Sequence, residues 1–229
     1  MTDQAQPRLG AGHLDELAII ALITVAGSTA KTPWPELDEN ERARLRTRMK
    51  LISRHDWPSN LREDPQLRRG YTLRQCFRLL SALMLLDAHM PPSIAIPVAR
   101  SNEIALLRLI AKRLADPDAE VSPTDAVAVI LLGHFWEWLD PAGWKEAEPY
   151  RARLIQRSQL TKLWSDELGL GTAGQRLVLD MGGSAQTMWR WIRTRRLLPD
   201  DALSAFLAEV EGLHREPDYR PFDELSRRR

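Results

Sequence analysis

Apolar residues in this chain recur at the spacing of one helix face, and that periodicity constrains the fold more than any other feature. Leu73, Cys76, Phe77, Leu80, Leu83 and Met84 form an i, i+3, i+4, i+7 stripe, and Leu45, Met49 and Ile52 sit at i, i+4, i+7. A helix with such a stripe has one side to bury and one to leave in water. No alternating run bounded by a hairpin turn stands out, so the expected fold class is all-α, a multi-helix body. Helices are expected near 14–27, 37–55, 72–89, 102–115, 123–139, 149–168, 174–181, 184–196 and 200–213. Local chemistry supports several boundaries. Thr72 and Gln75 have capping-box spacing, Ser122 followed by Pro123 suits an N-cap and first helical position, and Asp116-Pro117-Asp118 ends the helix "EIALLRLIAKRL". The expected organisation is an N-terminal helix and loop over 1–36 for the core or dimerisation, and a basic helical region over 37–139. A C-terminal helical region over 140–214 and a flexible tail over 215–229 follow.

Charge is segregated along the chain. The formal net charge is +1, yet 42–78 holds eleven Lys or Arg against three acids, and 102–149 holds nine acids against four bases. That asymmetry suggests a basic face for a polyanion. Cys76 is the single cysteine, which removes an internal disulfide and a cysteine-based zinc site, and a reducing cytoplasm is the expected location. The most apolar segment, 14–26, is too short to span a bilayer, and no secretory leader is recognisable, so no membrane association is expected.

The stretch "QRLVLDMGGSAQTMWRWIRTRRLLP", 175–199, has the pattern of two helices joined by a tight turn. Gly182 and Gly183 supply the backbone freedom a helix end needs, and Ser184 is the expected cap of the second helix. Met188, Trp191 and Ile192 then face inward against Leu177, Val178 and Met181, leaving Gln186, Thr187, Arg190, Arg193 and Arg196 outward. Amides and guanidiniums make bidentate contacts to base edges, and a helix N-terminus with a serine holds phosphate. The stretch resembles helix-turn-helix regulators of the MerR, excisionase and phage-repressor kind. The resemblance covers about a tenth of the chain, the length of such a motif. It implies a reader helix over 184–196, with Gln186, Thr187 and Arg190 on bases and Ser184, Arg193, Arg195 and Arg196 on phosphates. Trp189 would be either a wedge against the DNA backbone or a contact to a neighbouring helix.

A second element, "LREDPQLRRGYTLRQCFRLLSALMLLDAHMPPSIAI", 61–96, is similar to the later half of a MerR-type winged helix, a partial winged element in this chain. There an Arg-rich wing ending in Gly-Tyr leads into a helix behind the reader. The likeness implies Arg68 and Arg69 on phosphates, Tyr71 anchoring the wing, Thr72 capping the helix, and Arg74 beside them at its start. The bland reading, a basic surface on an ordinary core helix, stands equally open.

Catalytic signatures are missing. Histidines 13, 55, 89, 134 and 214 lack metal-ligand spacing, and no phosphate-binding glycine loop, serine elbow or cysteine nucleophile setting is present. No cofactor, no metal and no enzymatic activity are expected. The expected function is sequence-specific transcription regulation on double-stranded DNA, as a homodimer, with RNA polymerase or another regulator as a further partner. The alternative is a protein-interaction adaptor, antitoxin-like or polymerase-binding, that uses the Trp-rich surface of 134–144.

Overall fold

The reciprocal cap foreseen at Thr72 is formed: the Gln75 N–H donates to Thr72 Oγ1 at 3.3 Å, and the Thr72 N–H donates to Gln75 Oε1 at 3.0 Å. It starts the central helix of a computed structural model that describes residues 6–13, 17, 38–132, 151–165 and 175–213. The helices are α1 (Glu39–Ser53), α2 (Leu73–Asp87), α3 (Pro92–Ser101), α4 (Glu103–Leu114), α5 (Met181–Thr194) and α6 (Asp201–Gly212). Three strands, β1 (Ala126–Leu132), β2 (Ala152–Gln156) and β3 (Gln175–Leu179), form an antiparallel sheet in the order β2-β1-β3. The all-α expectation is therefore corrected to a mixed α/β fold.

The sheet arises where helices were expected at 123–139, 149–168 and 174–181. In β1, "AVAVILL", three of seven residues are β-branched, which costs side-chain freedom in a helix and suits a pleated surface. As the central strand it is covered on both faces, so its apolar residues run continuously and the alternation that reveals a half-exposed strand is absent. Ser122, expected as a helix cap, instead closes a turn in which its N–H donates to Asp125 Oδ2 at 2.7 Å. Helix α3 was not among the expected helices. Pro92 occupies the tolerated first turn, and Pro97 lies within the helix.

Helix α2 is buried along most of its length and is packed by α3, α4, α5 and α6; the rings of Phe77 and Phe206 meet at 4.9 Å between centroids. Arg74 fastens α2 to α4 and α6, donating to Glu103 at 2.7 Å and Glu209 at 2.8 Å. One sheet face, through Ala128, Ile130 and Leu179, joins this core, while Val127, Val129, Ile155 and Leu163 cluster on the other. The boundary expected between 37–139 and 140–214 falls in the connection between β1 and β2, so the regions on either side of it share one sheet. Of the helix expected at 14–27, Leu17 alone is described, and it is buried. Among the described residues, no helix is long and apolar enough to cross a membrane.

Candidate nucleic-acid interface

Helix α5 does not follow a helix-turn-helix turn. Its partner segment is β3, and the two glycines lie inside its first turn, where Asp180 is the N-cap and accepts the Gly183 N–H at 3.0 Å. Packing explains both glycines. A Cβ on Gly182 would lie 3.2 Å from the Arg113 side chain of α4, and one on Gly183 would lie 2.6 Å from the capping carboxylate. The glycines let α4 and α5 approach and leave room for the cap.

The groups expected to read DNA are placed accordingly. Ser184, Gln186 and Trp189 are buried. Gln186 accepts from Arg113 at 2.9 Å and donates to the carbonyls of Pro117 at 2.7 Å and Ala119 at 2.9 Å, so its amide holds the 115–120 loop against α5. Thr187 donates back to the Gly183 carbonyl at 3.1 Å. Arg193 makes a two-pronged pair with Asp118 at 2.6 and 3.0 Å. That pair raises the guanidinium's affinity for its proton and holds the exposed Asp118 carboxyl below the usual carboxylate range. Arg190 is half-buried, and Arg195 and Arg196 are exposed at the helix end. The inward placement of Met188, Trp191 and Ile192 is as expected. The assignment of the N-terminal half of this helix to base contacts is corrected, because its polar groups are used in packing loop and helix together.

The second element, 61–96, is tied to the N-terminal segment of the chain. Leu9 and Tyr71 pair as a short antiparallel bridge, with N–H to carbonyl distances of 2.7 and 2.9 Å. Gly70 precedes it at φ 132°, and a Cβ there would lie 2.1 Å from the Leu9 carbonyl oxygen, so no other residue fits. Arg8 donates to both oxygens of Asp64, at 2.7 and 2.9 Å, and to the Gly70 carbonyl at 3.0 Å; Gln75 donates to Asp64 at 2.7 Å. These bonds clamp the N-terminal segment around Arg8 and Leu9, the 60–66 loop and the start of α2 around the 3-10 turn Leu67–Arg69. Arg68 and Arg69 project from that turn, exposed and without a side-chain hydrogen bond or ion pair among the described residues. Tyr71 is buried, and burial pushes the pKa of its hydroxyl up. Thr72 is the cap, and Arg74 is taken up by Glu103 and Glu209, which corrects its place in the binding set.

Burial raises the Asp64 carboxyl, but the bonds from Arg8, Gln75 and the Gln66 N–H outweigh it and hold the pKa below the usual value. A carboxyl whose folded pKa is depressed stabilises the fold fully above its unfolded value, and the contribution is lost as pH falls through the folded one. Asp64→Asn should therefore flatten the loss of stability below about pH 4, measured by urea denaturation across that range. Parallel profiles for the two chains would contradict the clamp.

Arg48 and Lys50 of α1, Arg54 just beyond its end, and Arg62 in the loop are exposed and also lack side-chain partners among the described residues. Arg78 and Arg100 lie outside this set, because their guanidiniums flank the Trp57 ring at 4.3 and 5.8 Å from its centroid. Arg8 and Asp64 were missed in the sequence because they lie 56 positions apart, and no local pattern joins them. A groove lined by Pro7, Thr72, Arg74, Ala202, Phe206 and Glu209 runs between the start of α2 and one face of α6. Cys76 is buried with its thiol pushed far up by burial, which removes it as a nucleophile. Among the described residues no cluster of His, Cys, Asp and Glu could hold a metal ion. The aromatic surface of 134–144 lies outside the described residues. In comparisons with protein-family models, curated proteins and solved structures, nothing matches the chain.

Proposed function

We propose that the chain binds double-stranded DNA by gripping phosphates with the wing-like turn at Arg68 and Arg69, and that it acts as a transcription regulator. The observation carrying this reading is a pair of exposed guanidiniums, unpartnered among the described residues, on a turn whose backbone is fixed by a glycine at positive φ, a β-bridge and a partly buried carboxylate clamp. A guanidinium held on a rigid frame loses little freedom when it meets a phosphate, and its fork matches phosphate geometry. Cations of α1 and Arg62 add length to the basic surface, as the likeness of 61–96 to a winged element would require. Base discrimination is no longer assigned to Gln186. As a two-fold dimer, the usual form of such regulators, the chain would place two turns on successive half-sites.

The test is titration of a labelled duplex of about two helical turns. About four phosphates neutralised give a slope near −3.6 in log affinity against log salt, or roughly a hundred-fold weaker binding at 200 mM than at 50 mM. Salt-independent binding, or none at low salt, would contradict the reading.

A further inference from the structure

A single nitrogen joins the two ends of the cationic turn. Arg8 Nη1 donates to Asp64 Oδ2 at 2.7 Å, before the turn, and to the Gly70 carbonyl at 3.0 Å, after it, while Nη2 donates to Asp64 Oδ1 at 2.9 Å. Between those ends the N–H groups of Leu67, Arg69 and Gly70 donate to the carbonyls of Asp64, Gln66 and Leu67 at 3.1, 2.8 and 3.2 Å. Bonds of this i to i+3 kind have poor geometry and hold a short turn weakly by themselves. Arg8 is itself held from both sides. Leu9 is fully buried and pairs with Tyr71, and Gln6 and Pro7 line the groove between the start of α2 and α6.

Two other roles for Arg8 fit less well. Its side chain is only 15% exposed and both terminal nitrogens are already bonded, so it is not open to a phosphate. Its bonds go to the two ends of the turn and to no helix, so it does not fasten the helical core as Arg74 does. On the reading of the turn as a phosphate grip, we infer that segment 6–13 is a strap that sets the grip's affinity, with Arg8 as the positioning residue. Arg8 touches no phosphate; it fixes the spacing at which Arg68 and Arg69 meet theirs. A frame ordered before binding has less freedom to lose on binding, so loosening it lowers affinity without removing a contact. Duplex affinity is therefore controlled by a residue about sixty positions from the guanidiniums that make the contacts.

The experiment is titration of the labelled duplex over a range of salt, below the unfolding midpoint of every variant. Arg8→Gln with Asp64→Asn removes the tie and keeps the net charge. It should bind about ten-fold more weakly at every salt concentration, as expected if roughly one residue's backbone must be fixed anew on binding. Its plot of log affinity against log salt should run parallel to the parent's, because the slope counts phosphate contacts and none is lost. Arg8→Lys should recover most of the affinity, since one ammonium can reach both Asp64 and the Gly70 carbonyl as Nη1 does. Should the double variant not fold, Arg8→Gln alone, in which Asp64 keeps its bonds from Gln75 and the Gln66 N–H, should show the same parallel shift. Parent affinity in the variant that lacks the tie overturns the strap, and so does a reduced slope, which would make Arg8 a phosphate contact. Absence of duplex binding by the parent chain overturns the phosphate grip itself.

Discussion

Replacing Gln186 by leucine should lower stability by about 2–4 kcal/mol and leave DNA preference untouched. Leucine fills a similar volume, so the loss comes from hydrogen bonding. The Pro117 carbonyl loses its donor, the Ala119 carbonyl keeps only Arg113, and Arg113 loses the amide oxygen. A buried polar group left without a partner costs about 1–3 kcal/mol. The fall in thermal midpoint should be roughly 5–10 °C for a chain of this size. A leucine variant with the parent's midpoint and a relaxed base preference would return Gln186 to the role of a groove reader.

Reversing charge at Arg68 and Arg69 together should weaken duplex binding at least fifty-fold at moderate salt, with the fold intact. Each guanidinium to phosphate contact contributes about 1 kcal/mol or a little more, and a carboxylate in its place adds repulsion. Both side chains are exposed and bonded to nothing among the described residues, so stability should not change. Arg74→Ala has the opposite signature. It breaks partly buried ion pairs to Glu103 and Glu209 and acts on the packing of α2 against α4 and α6. Measuring affinity and midpoint side by side for the two variants distinguishes a contact residue from a fastening one.

The sequence made some of this legible for a definite reason. The capping box at Thr72 and Gln75 is a local bond pattern, and the α2 stripe is a local period, so both were readable within a few residues. The inward face of α5 was readable on the same grounds. The sheet was not, because its central strand is buried on both faces and its partners lie about 25 and 50 positions away. Gly182 and Gly183 misled for a related reason. A paired glycine signals a turn by backbone freedom, but here the absence of a side chain serves the contact between α4 and α5 and the Asp180 cap, neither of which a local reading contains. Gln186 and Arg193 show the same limit. Polar residues on the outward face of an isolated helix become interior or paired once the 115–120 loop lies over it. Thr72 marks the end of the turn at 67–69 by local capping chemistry, whereas Gly70, pressed against the Leu9 carbonyl, and the Arg8 to Asp64 clamp depend on partners distant in the sequence.

Central to the account is a phosphate grip built from a rigid turn and not from the helix after Asp180. The most direct measurement is the salt dependence of duplex affinity for Arg68→Ala with Arg69→Ala against the parent chain. Loss of two phosphate contacts per protomer, four in the two-fold dimer, should remove most of the slope of log affinity against log salt, about 3.6. A slope unchanged from the parent would contradict it.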